Sequence, residues 1–361
     1  MLILAWCCAS LAVIGFLVEL SNLGEFVYLH PAPESGESVD LYVAMRDEES
    51  NAAEFLRTTL AVPGIARLIV AQDGSQDATP AILATVCDTV EKMHVVTVPV
   101  PSCVHPSPKA RALGQAIAAV PPIAEWLLFV DADVRLEAGA VGALIAFARK
   151  RRVGAVSAWP RVATPTLWSL LLSPTVTLFL TQVLPMRIAR GTDPRFAAGN
   201  GQMFLISRQA YLRSGGHAAL VHPVEDLDLA RALKRCGTRI ALASAAGIGS
   251  VRGYGSLTAN LWGYGRSLVF GVGPVGCIAV ALWQGAAFVA PFVFAAMGMT
   301  AGLVGVSAVL AARAVLAVRM RQSSWGIVLA PLTGLLAAAA ALIAIVDRKR
   351  GRIRWRGRAL R

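Results

Sequence analysis

Two carboxylates close an apolar run in Trp126-Leu-Leu-Phe-Val-Asp131-Ala-Asp133. Residues two apart on an extended chain point the same way, so Asp131 and Asp133 can address one cation. Magnesium or manganese takes such oxygens together with those of a phosphate. An Asp-x-Asp is common by chance; the buried strand before this one gives it weight. A second acidic pair, Glu225-Asp226, opens a helical stretch that continues Leu-Asp-Leu-Ala-Arg-Ala-Leu-Lys. The helix dipole favours acids there, which accounts for the pair without any chemistry. The chemical alternative makes Asp226 a general base that takes a proton from a hydroxyl.

Three more polar islands accompany these. Ala44-Met-Arg46-Asp-Glu48-Glu49 follows an apolar strand, where an α/β domain receives a nucleotide. Taken alone it is an acid-rich helix start. Asp73-Gly74-Ser75-Gln76-Asp77-Ala78-Thr79 reads as a turn with a cap at Ser75 or Asp77, and the same turn would present Asp73 to a ligand. Gly199-Asn200-Gly201-Gln202 sets amides on a flexible backbone.

The elements that must position these islands alternate. Short apolar strands at Val39–Val43, Arg67–Val70, Val95–Val98 and Trp126–Val130 are interleaved with helical stretches around 50–60, 77–92 and 108–119. The alternation predicts βαβ units, a largely parallel sheet and a soluble α/β domain over residues 39–265. Ligands of such sheets sit at the carboxyl ends of the strands, where the islands fall. Leu167–Leu184 is apolar but interrupted by Pro174, and a crossing there would part Asp131 from Asp226. It is expected to be an interfacial or core helix of the domain.

In order and spacing the islands resemble the family 2 glycosyltransferases, of the GT-A fold. The matching stretches are Arg46-Asp47-Glu48-Glu49, Gln72-Asp73-Gly74-Ser75-Gln76-Asp77-Ala78-Thr79, Pro108-Lys109-Ala110-Arg111-Ala112-Leu113, Asp131-Ala132-Asp133 and Glu225-Asp226. Ala44, Gln72 and Pro108 depart from the family's proline, aspartate and glycine. The resemblance implies an inverting transfer from a nucleotide-diphosphate sugar, most simply a UDP-sugar. It implies donor contacts at Ala44, Arg46, Glu48, Asp73, Lys109 and Asp131, and a Mg²⁺ or Mn²⁺ on Asp131 and Asp133. Asp226 would be the base, with Asn200, Gln202, Glu225 and Trp262 on the acceptor side. The Gly-Asn-Gly-Gln segment, the Tyr254–Tyr264 stretch and the closing Trp355-Arg-Gly-Arg are similar to the subgroup placed with carotenoid or hopanoid biosynthesis, which implies a lipid-like acceptor. Trp262-Gly-Tyr-Gly-Arg266 stands where processive synthases carry Gln-x-x-Arg-Trp, which favours single-sugar transfer. A polyprenyl-phosphate sugar synthase of the same fold is the alternative. A membrane transporter or non-catalytic scaffold is the second alternative; transporters hold ionisable residues in their spans, and the later ones here have almost none besides Arg313.

Composition sets the surroundings. The 361 residues are 56% hydrophobic and 16% charged, against roughly 25% charged in globular chains. Part of the chain therefore belongs in lipid. Residues 1–20 read as a retained anchor, lacking a basic start and a small-residue cleavage site. Residues 269–346 read as about three spans, near 272–293, 296–312 and 326–346. Residues 347–361 carry eight basic residues against one acid, out of a net charge of +12. Such a tail faces anionic lipid rather than nucleic acid. Together these features predict a multi-pass cell-membrane protein with its catalytic domain cytoplasmic. Three spans after such a domain would leave the tail outside, against the positive-inside rule, unless a segment near Pro291 or Pro331 is re-entrant or the count is two or four. Gly271-Val-Gly273-Pro-Val-Gly276 matches a dinucleotide pattern but follows no strand, and is expected to be a coincidence. Six cysteines without CxxC spacing argue against a disulfide framework or zinc site and fit a reducing compartment.

Overall fold

A computed structural model describes residues 1–34, 36–99, 106–163, 166–355, 358 and 359. Cys103, and Arg356 and Gly357 of the closing motif, lie outside them. The chain divides into two compact units.

The first unit comprises Val27–Arg161, Arg187–Val251 and the residues from Arg354 on. The strands in chain order are β1 (Val27–Tyr28), β2 (Val39–Met45), β3 (Ile65–Gln72), β4 (Met93–Thr97), β5 (Trp126–Asp131) and β6 (Val134–Leu136). They continue with β7 (Ala155–Trp159), β8 (Arg161–Ala163), β9 (Met203–Ser207), β10 (Ile240–Ser244) and β11 (Gly249–Arg252). Among the described residues, eight form one sheet in the order β1-β10-β7-β9-β5-β2-β3-β4. All neighbours are parallel except β9, which is antiparallel to both β5 and β7. A strand covered on both faces is apolar throughout rather than alternating. Trp126 to Val130 is such a run, with no residue more than 3% exposed. Each side chain hidden there contributes roughly 2 kcal/mol, which fixes the register that aims Asp131 outward.

The expected elements recur with shifted ends. The third strand begins two residues before the expected 95, because Met93 packs beneath it while 98 is left to a single bond, Val98 N–H to the Gln72 carbonyl. The helix expected over 77–92 is only Thr79–Cys87, since Asp77 turns its carboxylate to the Thr79 and Glu49 N–H groups instead of joining it. The two-residue β1 lies ahead of the expected domain start.

The second unit comprises Met1–Phe26, Val162–Met186 and Arg252–Ile353. The Leu167–Leu184 stretch therefore belongs to the apolar unit and not to the α/β domain. It is two helices, Leu167–Leu172 and Pro174–Val183, because a proline inside a helix has no N–H to give. Residues 252–265, also expected in the domain, pack in this unit too.

Four helices among the described residues are long and apolar enough to cross a membrane: Leu2–Asn22, Gly273–Ala296, Thr300–Arg319 and Ala330–Lys349. Pro331 sits in the first turn of the last, where proline is tolerated. Pro291 follows a π-helical turn over Gln284–Val289. Gly271 ends one helix and Gly273 starts the next, so the dinucleotide pattern falls at a helix junction.

Packing fixes the helix directions within this unit. Gly305 lies against Ala9 and Pro291, Gly302 against Phe294 and Ala295, and Gly15 against Trp283. Thr300–Arg319 thus folds back on the helix before it and runs parallel to Leu2–Asn22. Gly334 lies against Gln284 and Phe288, while Arg348 donates to the Val269 carbonyl at 2.9 Å. Ala330–Lys349 is therefore antiparallel to Gly273–Ala296, and it too runs the way of Leu2–Asn22. Two successive helices pointing one way need a link that returns. Arg313 pins that link, donating from Nε and Nη2 to the Gly326 carbonyl at 3.1 and 3.0 Å.

Candidate active site

The carboxyl ends of β2, β3 and β5 lie side by side, since Ala44 pairs with both Ala71 and Asp131. The turns after β2 and β3 are sewn together. Arg46 Nη1 donates to the carbonyls of Asp73 and Gly74 at 2.7 and 3.3 Å. The N–H groups of Asp47, Glu48 and Glu49 donate to Ser75 Oγ, Thr79 Oγ1 and Asp77 Oδ2. In return, Gln76 and Ala78 donate to the carboxylates of Asp47 and Glu49. Ser75, Asp77 and Thr79 are thus spent on turn chemistry. Gln72, the departure from the family pattern, accepts the Gly74 N–H at 3.1 Å and closes the same turn.

Asp73 is fully buried, and Arg111 Nη2 meets its Oδ1 at 2.5 Å. Arg111 is a functional residue to which the sequence motif assigns no role. Two residues beyond Lys109 on one helix it points elsewhere, so spacing alone gave no signal for its pairing with Asp73.

Lys109 stands in the first turn of the Pro108–Ala119 helix. Its Nζ donates to Asp131 Oδ1 at 2.5 Å and to Glu225 Oε1 at 2.8 Å. Burial opposes its charge, but the two carboxylates prevail and hold the ammonium above the ordinary lysine range. Glu225 answers it: burial would raise its carboxyl, yet Lys109 keeps it low. One lysine therefore joins the two acidic islands, 94 positions apart.

Asp226 is anchored by backbone. Its Oδ2 accepts the Gly201 N–H at 2.8 Å and its Oδ1 the Leu227 N–H at 2.7 Å. Burial, and then the charge of Glu225, push its pKa up to about 6 despite these bonds and Lys109. The Gly199–Gln202 loop reaches it because it lacks side chains at two points. A Cβ on Gly199 would fall 2.5 Å from the Asp226 carbonyl oxygen, and one on Gly201 2.9 Å from Lys109 Nζ. Asn200 hangs from Ser157 Oγ by its N–H at 2.7 Å and donates to Gln202 Oε1 at 3.1 Å.

His217, unremarked in the sequence, lies buried behind these groups. Its ring packs on Phe129 at 4.6 Å, and its Nδ1 is 2.9 Å from Tyr211 Oη. Burial drives its pKa down to about 3, so it is neutral. A cavity of ≈ 10 Å³ bounded by Lys109, His217, Glu225 and Asp226 is no larger than a water.

Asp133 carries the strongest sign of an open site. Burial, then the charges of Asp131 and Glu48, push its pKa up to about 7. No group of three or more His, Cys, Asp or Glu among the described residues is arranged as a metal cluster. Two hard carboxylates, Asp133 and the Lys109-paired Asp131, nonetheless fit a magnesium-like ion that completes its shell with phosphate oxygens. Of the expected residues, the structure thus brings Lys109, Asp131, Glu225 and Asp226 together, with Asn200 and Gln202 on the adjoining loop. Ala44, Arg46, Glu48 and Asp73 border the same strand ends. Trp262 stands half-exposed on the Leu257–Gly271 helix of the apolar unit.

A family profile described as "Glycosyltransferase like family 2" matches residues 37–263. Among solved structures, a mannosyltransferase from Pyrobaculum calidifontis in complex with GDP-Man and Mn²⁺ is similar over 96% of this chain and 99% of that one, with 17% identity and a TM-score of 0.58. TarS (1–349) of S. aureus with UDP-GlcNAc is similar over 87% and 92%, with 12% identity and a TM-score of 0.42. Glucosyl-3-phosphoglycerate synthase of Mycobacterium tuberculosis with Mn²⁺, UDP and glucosyl-3-phosphoglycerate is similar over 74% and 82%, with 18% identity and a TM-score of 0.39. A search of curated proteins finds no match.

Proposed function

The chain belongs to the family 2 glycosyltransferases and has their GT-A fold, and on that premise we propose that it transfers one sugar, with inversion, from a nucleotide-diphosphate sugar to a hydroxyl of a lipid-like acceptor. The observation that carries this reading is the Lys109-linked corner, where Asp131 and Glu225 share one ammonium beside Asp226. A diphosphate end and a proton acceptor are the two things an in-line displacement at a sugar carbon requires.

Each residue has a distinct part. Asp73, fixed by Arg111, and the sewn turns at Arg46–Glu48 shape the nucleotide end, with Ala44 at the floor. Asp131 and Asp133 would hold Mg²⁺ or Mn²⁺, which supplies Lewis-acid stabilisation of the departing diphosphate. Asp226 takes the proton of the attacking hydroxyl. A carboxylate near pKa 6 is a stronger base than an ordinary aspartate and is still charged at neutral pH. The Gly201 and Leu227 N–H groups fix the direction of its lone pairs. Asn200, Gln202 and Glu225 would meet the acceptor. A UDP-sugar is the simplest donor, and the four span-length helices support an acceptor drawn from the bilayer.

The helix directions also suggest a topology. Leu2–Asn22 ends five residues before β1, and Ala330–Lys349, which runs the same way, ends at the basic tail. With the link at Gly326 re-entrant, the tail and the chain entering the α/β domain share one side, and the positive-inside rule makes that side cytoplasmic. A reporter fused after Arg361 tests this: a fluorescent protein glows only inside, an alkaline phosphatase works only outside. Phosphatase activity there would refute the arrangement.

The reaction is tested by incubating detergent-purified enzyme with UDP-, GDP- and dTDP-sugars, with Mg²⁺ or Mn²⁺ and then with EDTA. Cation-dependent release of one nucleoside diphosphate, increased by a polyisoprenoid alcohol or hydroxylated carotenoid, is expected. Release indifferent to EDTA would reject the cation, and transfer only to soluble acceptors would reject the lipid.

A further inference from the structure

We propose that Lys109 is a built-in stand-in for the divalent cation, holding Asp131 in the donor-free enzyme and leaving it when the cation binds. The proposal rests on the reading of Asp131 and Asp133 as the cation's ligands.

The corner is crowded with negative charge. Asp131 and Glu225 meet on one ammonium, Asp133 stands two residues from Asp131, and Asp226 adjoins Glu225 against the Gly201 N–H. Carboxylates so assembled repel one another unless a cation sits among them. Lys109 supplies that cation now, with 2.5 and 2.8 Å contacts to Asp131 and Glu225. A divalent ion on Asp131 would stand beside the ammonium and repel it, which favours the lysine's withdrawal toward Glu225. The lysine is built to withdraw. Its stem is long and unbranched, it already has a second partner in Glu225, and Gly201 leaves the space around Nζ free of a side chain. Released from Asp131, the ammonium keeps Glu225 and becomes available to a phosphate oxygen of the donor.

The consequence is a coupling. The lysine weakens cation binding to the empty enzyme, and a diphosphate restores it by giving the ammonium a new partner. By linkage the cation strengthens diphosphate binding by the same factor. Lys109 is thus a positioning residue that makes cation and donor arrive together.

The test is Mn²⁺ titration of the detergent-purified full chain, read by the electron paramagnetic resonance of free Mn²⁺, with and without UDP. Lys109→Met should tighten UDP-free Mn²⁺ binding about tenfold and shrink the tightening that UDP produces. Unchanged or weaker UDP-free binding overturns the proposal. If that variant does not fold, Glu225→Gln serves, because it leaves the ammonium to Asp131 alone. UDP-free Mn²⁺ binding should then weaken severalfold, and binding that is unchanged or tighter overturns the proposal. Asp131→Ala separates the two levels of inference. Loss of Mn²⁺ binding there, with no effect of Lys109→Met, rejects only the stand-in, whereas Mn²⁺ binding indifferent to Asp131→Ala rejects the cation site itself.

Discussion

The central sheet carries acid at both of its edges, wholly buried at one and half-buried at the other, and the two edges treat it in opposite ways. At the amino end of β2, Asp40 is wholly buried and wholly satisfied. Arg67 grips it with Nε at 2.9 Å and Nη2 at 2.7 Å, and the N–H groups of Ile123 and Ala124 add bonds at 2.7 and 3.0 Å. Burial would raise its pKa, but these partners more than reverse it, and the carboxyl lies below its ordinary value. At the carboxyl end, Asp133 and Asp226 lie well above theirs, at about 7 and about 6. The difference is not burial alone, since Asp40 is wholly buried and Asp133 and Asp226 are partly so. It is whether the fold brings a full set of partners or leaves a place for something else. A closed carboxylate is architecture, and an under-compensated one at a ligand-binding edge is chemistry in waiting.

The largest expected effect breaks the open edge. Asp226→Asn removes a base but almost no volume and should lower turnover by about 10³-fold while donor binding persists. Single-turnover kinetics beside nucleotide titration would tell these apart, and near-normal turnover would return Asp226 to a helix-dipole role. Asp131→Ala should cost roughly 10²-fold in cation-supported turnover, with nucleotide binding that no longer responds to EDTA.

The closed edge should respond in stability alone. Asp40→Asn leaves Arg67 half-gripped in a largely buried place and should cost about 3 kcal/mol of folding free energy. Thermal denaturation would register it, with turnover per folded molecule intact. pH separates the edges without mutation. The pKa of Asp40 is depressed, so its contribution is present above the unfolded value of about 3.9 and is lost only as pH falls through the lower folded value. Between pH 7 and 5 the Asp40 contribution stays constant. Turnover should fall over the same interval with a midpoint near 6, as Asp226 takes up its proton. A flat rate profile across that window would separate Asp226 from the chemistry.

How far the sequence disclosed this contrast depended on the kind of signal. Apolar runs ending in acids, such as Trp126–Asp131, announced both the strands and the edge at which the acids emerge, because burial on two faces forces continuous hydrophobicity. Charge partners were hidden. Nothing local pairs Lys109 with Glu225 or Arg111 with Asp73, since each contact depends on how a helix docks on a strand end. The Leu167–Leu184 stretch is too short for a span, as expected, but packs with the apolar unit rather than the α/β domain. An apolar helix of core and one of a membrane unit have the same composition, and only packing distinguishes them. The returning link at Gly326 was only hinted at, by the need for a re-entrant segment near Pro331, and its tie to Arg313 was hidden.

The smallest effect sharpens the comparison most. Gly201→Ala adds one methyl where an ideal Cβ falls 2.9 Å from Lys109 Nζ. Gly201 has an ordinary backbone conformation, absent from the positive-φ set, so the substitution introduces no backbone strain. The lysine tip alone must yield, by a few tenths of an ångström. At the closed edge such a shift would have to break a bidentate pair. At the open edge the ammonium has a second partner and, with substrate bound, a third. Turnover should therefore fall only about fivefold, short of the ~10²-fold that a full ångström of misplacement brings, and the melting temperature should hold. A loss of many degrees with proportionate loss of activity would mean that the Lys109 corner is as rigid as Asp40–Arg67, and that the two edges differ in charge but not in freedom to move.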